Sequence, residues 1–61
     1  MTAKEVIKLL EGKGWKEVRQ SGSHKIFKHS DNPNNVSVPV HSSKDIPKGT
    51  LRSILKTAGI V

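Results

Sequence analysis

Two patterns typical of amphipathic helices flank a run of residues in which apolar and polar side chains alternate as they do in strands. A chain of 61 residues has few ways to bury the apolar sides of both helices. The first helix pattern spans Thr2–Lys13, and the second begins near Pro47, a residue suited to a first helical turn. The two apolar stripes consist of Ala3, Val6, Ile7 and Leu10, and of Leu51, Ile54, Leu55 and Ala58. Each stripe must pack against another apolar surface, because an amphipathic helix is stable when its apolar side is covered.

Capping signals mark the ends of both helices. Thr2 followed by Glu5 matches the capping box at the start of the first helix. Either Gly12 or Gly14 after the first helix, and Gly59 after the second, can adopt the left-handed conformation that ends many helices. The N-cap of the second helix has three alternatives, which are Ser43, Asp45 and Ile46.

The residues between the helices predict three strands, which are Trp15–Gln20, His24–His29 and Val36–Val40. The polar cluster Ser30–Asn35 predicts a turn before the third strand, and Pro39 predicts that this strand lies at a sheet edge. Short connections favour an antiparallel meander. The sequence therefore predicts an α+β fold in the order α-β-β-β-α, a three-stranded antiparallel sheet with both helices on one face.

Alternation along the second strand separates its two faces. Phe27 is the largest apolar side chain of the strand and is expected to face the helices, which places His24 and Lys28 on the open face. If Phe27 pairs with Val38, counting along the hairpin sets His24 opposite His41. We therefore expect His24 and His41 to be near neighbours on the open face of the sheet.

The charge balance favours a polyanionic partner. The chain carries a formal net charge of +6, with 11 Lys and Arg residues against 5 Asp and Glu residues. Nucleic acid is the usual partner of so basic a small domain, and the alternatives are an acidic protein or simple solubility. The absence of cysteine excludes disulfides and thiolate metal sites, and we expect neither a metal nor a cofactor.

His24 is the best candidate for chemistry, although a histidine after a Gly-Ser turn can also be no more than an exposed polar residue. An imidazole acts as general base near neutral pH. Removing a proton from the 2′-hydroxyl of RNA lets that oxygen attack the adjacent phosphate, and cations offset the charge that develops. The candidate phosphate ligands near this histidine are Arg19, Lys25, Lys28 and Lys44.

A second set of cations recurs every four residues in the second helix pattern, and its members are Lys48, Arg52 and Lys56. Such a stripe is either a solvated helix face or a further phosphate contact. Of these residues, Lys48 and Arg52 are taken as candidate RNA ligands, together with His41 at the end of the third strand.

The chain resembles the HicA-type toxins, which are small mRNA interferases of type II toxin–antitoxin systems. The resemblance runs almost end to end and rests on the order and spacing of several short motifs. These are Gly14-Trp15, Arg19, Gly22-Ser23-His24 with Phe27, Val38-Pro39 with His41, Lys44-Asp45-Ile46, Lys48 to Lys56, and Ala58-Gly59-Ile60.

The resemblance implies a fold similar to the double-stranded RNA-binding domain. It also implies a metal-independent endoribonuclease that cleaves mRNA and arrests translation and growth, with His24 at the position of the catalytic histidine. The expected partners are mRNA and a HicB-type antitoxin that covers the active site. Many members carry a second histidine where this chain has Lys25, and Val40 stands between the Val-Pro pair and His41, so the general acid stays open.

The alternative to a ribonuclease is a non-catalytic RNA-binding module of the same fold. A third possibility is a small basic protein that binds only an acidic antitoxin-like chain. We expect one domain over residues 1–61, with no signal peptide, no membrane-spanning segment and a cytoplasmic location.

Overall fold

A computed structural model of the chain describes residues 1–40 and 44–60. Its elements follow in the order α1 (Ala3–Gly12), β1 (Lys16–Ser21), β2 (His24–His29), β3 (Asn32–Pro39) and α2 (Lys48–Thr57). The three strands form one antiparallel sheet in the order β1-β2-β3, so β3 is an edge strand as Pro39 predicted. Both helices pack on the same face of this sheet, which confirms the predicted α+β fold similar to the double-stranded RNA-binding domain.

One hydrophobic cluster joins the helices to the sheet. Phe27 lies at its centre and is fully buried, as the alternation along β2 predicted. The buried residues around it are Ala3, Val6, Leu10, Trp15, Val36, Val38, Ile46 and Ile54. From α2 only Ile54 is fully buried, whereas Leu51 and Leu55 of the same stripe remain half-exposed. The second helix therefore covers the sheet with a narrow apolar edge rather than with its whole stripe.

Both helices end in the same hydrogen-bonded motif, which the glycine signals predicted. After α1, Gly14 has a φ of 93° and the backbone N–H of Trp15 donates to the carbonyl of Leu10 at 3.0 Å. After α2, Gly59 has a φ of 74° and is followed by the half-buried Ile60. This motif reverses the chain and brings an apolar residue back toward the last helical turn. Trp15 enters the core in this way and is buried between helix and sheet.

The imidazole of His29 has a structural role, because its hydrogen bonds join the end of α1 to the end of β2. Its Nε2 bonds the carbonyl oxygen of Lys13 at 2.8 Å, while its Nδ1 accepts from the backbone N–H of Asp31 at 2.9 Å. A neutral ring with its proton on Nε2 satisfies both contacts. The ring also meets Trp15 edge-on, with 5.3 Å between centroids. A side chain at Gly14 would not fit, since a Cβ there would lie 2.8 Å from Nε2 of His29.

The third strand begins four residues earlier than predicted and ends one residue earlier. Only Ser30 and Asp31 form the turn, and the rest of the polar cluster is extended. Asn32 explains the difference, because its side chain donates to the carbonyl of Thr57 at 3.3 Å and accepts from the backbone N–H of Asn34 at 2.9 Å. These bonds tie the start of β3 to the end of α2 and hold polar residues in a strand.

All three alternatives for the N-cap of α2 were wrong. Pro47 occupies the N-cap and makes no side-chain capping bond. Asp45 instead forms an isolated antiparallel β-bridge with Thr2, and the backbone N–H of Ile46 donates to the carbonyl of Met1 at 2.8 Å. These residues hold the start of the chain against the segment before α2, and Ser43 lies outside the described residues.

The capping box at Thr2 and Glu5 is present and favours the charged form of the Glu5 carboxylate. The backbone N–H of Thr2 donates to Glu5 Oε1 at 2.8 Å, and the backbone N–H of Glu5 donates to the Thr2 hydroxyl at 3.3 Å. The Thr2 backbone bond, then the Thr2 hydroxyl, lower the pKa of Glu5 from its ordinary value of 4.5. Because the native state favours the charged carboxylate, the stability that it contributes is present above the unfolded pKa and is lost as the pH falls through the folded one.

We expect Glu5→Gln to isolate this charge, since glutamine can still complete a capping box. The wild type should be more stable than the variant at pH 7, and the difference should shrink as the pH falls below about 4.5, near the ordinary pKa of a glutamate. Urea unfolding at a series of pH values measures it. A difference that stays constant from neutral to acid pH would show that the carboxylate charge does not contribute.

Candidate functional site

The turn before His24 has a conformation that its sequence requires. Gly22 and Ser23 form a two-residue turn between β1 and β2, and Ser21 pairs with His24 across it. Gly22 has a φ of 58°, and no residue other than glycine has a positive φ in the described ranges 1–40 and 44–60. A positive φ at the first turn position only is the pattern of a type II′ hairpin, which matches the twist of the flanking strands.

Two hydrogen bonds outside the strand ladder hold this turn in place. The side-chain Nε2 of Gln20 donates to the carbonyl of Gly22 at 3.1 Å. The backbone N–H of Val40, just beyond the end of β3, donates to the carbonyl of Ser23 at 2.7 Å. His24 therefore begins its strand on a turn that is secured from both neighbouring strands. Gln20 and Val40 were not predicted in this role, because neither residue type signals such a bond.

His24 is exposed on the open face of the sheet, as alternation along β2 predicted. The predicted register was wrong by two residues: Phe27 pairs with Val36, and His24 lies opposite Pro39. The reason is the short Ser30–Asp31 turn together with an irregularity between Phe27 and His29, where β3 contains extra residues. A shift of two residues preserves the face of every side chain, so His24 stays on the open side.

His41 lies outside the described residues, so its predicted proximity to His24 stays a prediction.

Cationic side chains line the open face beyond His24. Arg19 of β1 lies directly opposite Ile26, two positions along β2 from His24. Lys28 follows two positions further and lies opposite Lys16. The structure therefore brings the predicted residues Arg19 and Lys28 onto the face of His24. It also adds Lys16, which simple alternation along β1 could not place there, because the strand contains an extra residue between Glu17 and Arg19.

Lys25 faces away from this surface. It is half-buried on the helix-covered side of β2, and its Nζ lies 3.3 Å from Oε1 of Glu17. The structure therefore does not group Lys25 with His24, although the two residues are adjacent in sequence. Opposite orientation of successive side chains is the ordinary consequence of strand geometry.

The predicted cations of α2 lie away from the open face. Lys44 is exposed in the segment before α2. Lys48 and Arg52 lie on the outer side of α2, where they flank the half-buried Leu51 and Leu55 at a groove of about 510 Å³. Because α2 packs on the covered side of the sheet, this helix face and the open sheet face point in different directions. The chain thus has two separate cationic surfaces.

The described part of the chain offers no obvious metal centre and no spanning helix. Among residues 1–40 and 44–60, no three His, Asp or Glu side chains come together as a group that could hold a metal ion. No helix in these ranges has the length and apolar character needed to cross a membrane.

Comparison with known proteins gives a match to a family model that covers nearly the whole chain. No curated protein matches the chain. A family model described as the HicA toxin of bacterial toxin–antitoxin systems matches residues 3–60, which include both helices, all three strands and the Gly-Ser-His turn. The match confirms the resemblance seen in the sequence. The chain therefore belongs to the HicA toxin family of bacterial toxin–antitoxin systems.

Proposed function

We propose that this toxin is a metal-independent endoribonuclease that cleaves mRNA, and that His24 is its catalytic residue. The observation that carries the proposal is the position of His24. This imidazole is exposed at the start of β2, on a turn held from both neighbouring strands, and on a face that also presents Arg19 and Lys28. Growth arrest follows from the loss of translatable message.

The proposed reaction uses the imidazole as a general base. His24 removes the proton of a 2′-hydroxyl, and the 2′-oxygen forms a bond to the adjacent phosphorus while the bond to the 5′-oxygen breaks. The products are a 2′,3′-cyclic phosphate and a 5′-hydroxyl, and the leaving oxygen takes up one proton. Arg19 and Lys28 offset the negative charge at phosphorus, as preorganised cations do in phosphoryl transfer. His41 is our candidate for the acid that protonates the leaving oxygen.

Further contacts to the RNA backbone are proposed for the other cations of the chain. Lys44, Lys48 and Arg52 are exposed, and Lys48 and Arg52 lie on the separate cationic surface of α2, so we propose that they bind phosphates of RNA that extends beyond the open face. Lys25 faces the helix side and is paired with Glu17, so it would contact only RNA that reaches that side, and surface ion pairs are weak enough to open, at about 0–1 kcal/mol.

A cognate antitoxin of the HicB type is the proposed protein partner, acting in the cytoplasm by covering the face that carries His24. The net charge of +6 favours a partner surface that is acidic. Co-expression with the antitoxin should restore growth, and a complex that still cleaves RNA at the full rate would contradict occlusion of the site.

The test of the ribonuclease activity compares RNA with DNA of the same sequence. Purified protein in the presence of a chelator should cleave the RNA to fragments that end in a 2′,3′-cyclic phosphate. It should leave the DNA intact, because DNA lacks the 2′-hydroxyl that attacks phosphorus. The runner-up function, a non-catalytic RNA-binding module of the same fold, predicts salt-sensitive binding without any cleavage. Intact RNA under these conditions would therefore favour the runner-up.

A further inference from the structure

Two lysines of like charge lie directly opposite each other on the open face. Lys16 of β1 pairs in register with Lys28 of β2, and both side chains are exposed. Neither makes an ion pair within the described ranges. Like charges at directly opposed positions of an antiparallel pair destabilise a sheet. The fold therefore tolerates an uncompensated repulsion at this place.

No acidic side chain on the open face offsets the repulsion between Lys16 and Lys28. The 5 acidic residues are Glu5, Glu11, Glu17, Asp31 and Asp45. Two lie on α1, one lies in the turn after β2 and one lies before α2. Glu17 is the one acidic residue within a strand, and it faces the helix side, where it pairs with Lys25. The strands thus place no acidic side chain on the open face, although Asp31 of the adjoining turn lines one cavity together with Lys28.

An extra residue in β1 is what keeps Glu17 off the open face. Counting back from the Ser21–His24 pair, regular pairing would place Glu17 opposite Lys28 and Val18 opposite Phe27 on the core side. The irregularity between Glu17 and Arg19 instead leaves Val18 51% exposed and sets Lys16 opposite Lys28. Such bulges re-aim side chains beside functional sites. The strand gives up the burial of a valine, and Glu17 pairs with Lys25 on the helix side instead of with Lys28 on the open face.

We propose that Lys16 is a further RNA-binding residue, and that the Val18 bulge completes a backbone-binding track which runs from His24 along the open face. The inference rests on the proposed ribonuclease function. From His24 to Lys28 the track is about 13 Å long at the usual rise of a strand. Repeated positive charge, with no acidic residue of the strands on the same face, matches the repeated phosphates of a single RNA strand.

The aromatic content of the chain indicates that this track binds the RNA backbone and not the bases. The protein has 1 Trp, 1 Phe and no Tyr. Trp15 and Phe27 are both buried, with 2% and 0% of their surface exposed. Single-stranded nucleic acids are usually held by stacking bases on exposed aromatic rings as well as by charge. With no indole or phenyl ring available, affinity must come mainly from phosphates and depend little on sequence.

The experiment exchanges two adjacent charges without changing the net charge. In the double variant Lys16→Glu/Glu17→Lys, an acid lies on the track opposite Lys28 while the total charge is preserved. The matched control is Lys8→Glu/Glu11→Lys, which exchanges charges on the exposed side of α1. Binding is measured with a 2′-O-methyl oligoribonucleotide, which cannot be cleaved by attack of the 2′-oxygen, over a series of salt concentrations. Thermal unfolding verifies that each variant is folded.

We expect the track variant to bind at least about tenfold more weakly than wild type, with a salt slope reduced by about 0.7 for each phosphate that the protein no longer neutralises. The control variant should bind as wild type does. Lys16→Ala, which introduces no new charge, should reduce the slope by about 0.7 on its own. Wild-type affinity and slope in both Lys16 variants would overturn the proposal.

Two further readouts separate this inference from the function on which it rests. If wild type cleaves RNA and both Lys16 variants bind normally, the track is wrong and the ribonuclease proposal stands. If wild type neither binds nor cleaves RNA, both fail. Oligomers of uridine and of adenosine should bind within a few-fold of each other, and a difference greater than about tenfold would overturn the conclusion that only the backbone is read.

Discussion

Replacing His24 with alanine is expected to lower the rate of RNA cleavage by about 10²–10⁴-fold, the range that general acid–base catalysis contributes. Induced expression of the variant should no longer arrest growth. The side chain is exposed at the start of β2, so the free energy of unfolding should change by no more than about 1 kcal/mol. Cleavage is measured with purified protein and a labelled RNA, and stability by urea unfolding.

RNA binding provides the internal control for His24→Ala. The cations of the open face remain in place, so affinity for the uncleavable oligonucleotide and its salt slope should stay close to those of wild type. Loss of cleavage with retained binding assigns the imidazole to the chemical step. Cleavage at the wild-type rate in this variant would remove His24 from the mechanism, whatever the RNA affinity of the variant.

The largest effect on stability is expected from Phe27→Ala. Phe27 is fully buried at the centre of the core, and removing such a ring costs about 3–5 kcal/mol through lost transfer free energy and the cavity that remains. At about 0.05–0.15 kcal/mol per residue, the total stability of a domain this small is of similar size. We therefore expect the variant to be largely unfolded at 25 °C, as measured by circular dichroism and urea titration.

Phe27→Leu is the matched control, because leucine keeps most of the apolar volume and should cost clearly less than the alanine variant. It should fold, and it should cleave RNA, since Phe27 faces the helices while His24 faces the open side of the same strand. A cooperative unfolding transition for Phe27→Ala with nearly wild-type stability would show that the ring does not organise the core.

The parts of the structure that were predicted well depend on neighbours in the chain. The capping box at Thr2, the glycine motifs after both helices and the bounds of β2 all follow from residues within a few positions of each other. The face of His24 was also predicted, because alternation along one strand requires only the knowledge that Phe27 points inward.

The predictions that were wrong concern segments whose structure depends on hydrogen bonds to residues far away in the sequence. Asn32 is bonded to the end of α2, which turned a polar segment into the start of β3 and moved the register by two residues. Pro47 is the N-cap of α2, because Asp45 and Ile46 pair with the backbone of the first two residues of the chain. No local propensity carries that information.

The candidate site divides in the same way. The sequence by itself determined the two amphipathic helices, the glycine turn before His24 and the orientation of that histidine, because these depend on local backbone geometry and on period-two alternation. Only the tertiary structure decided that Lys16 joins Lys28 and that Lys25 turns away with Glu17. Pairing between β1 and β2, with its extra residue at Val18, sets those positions. Which side chains lie on the open face therefore depends on strand register. Register is set by the pairing of two strands and cannot be read from one strand alone.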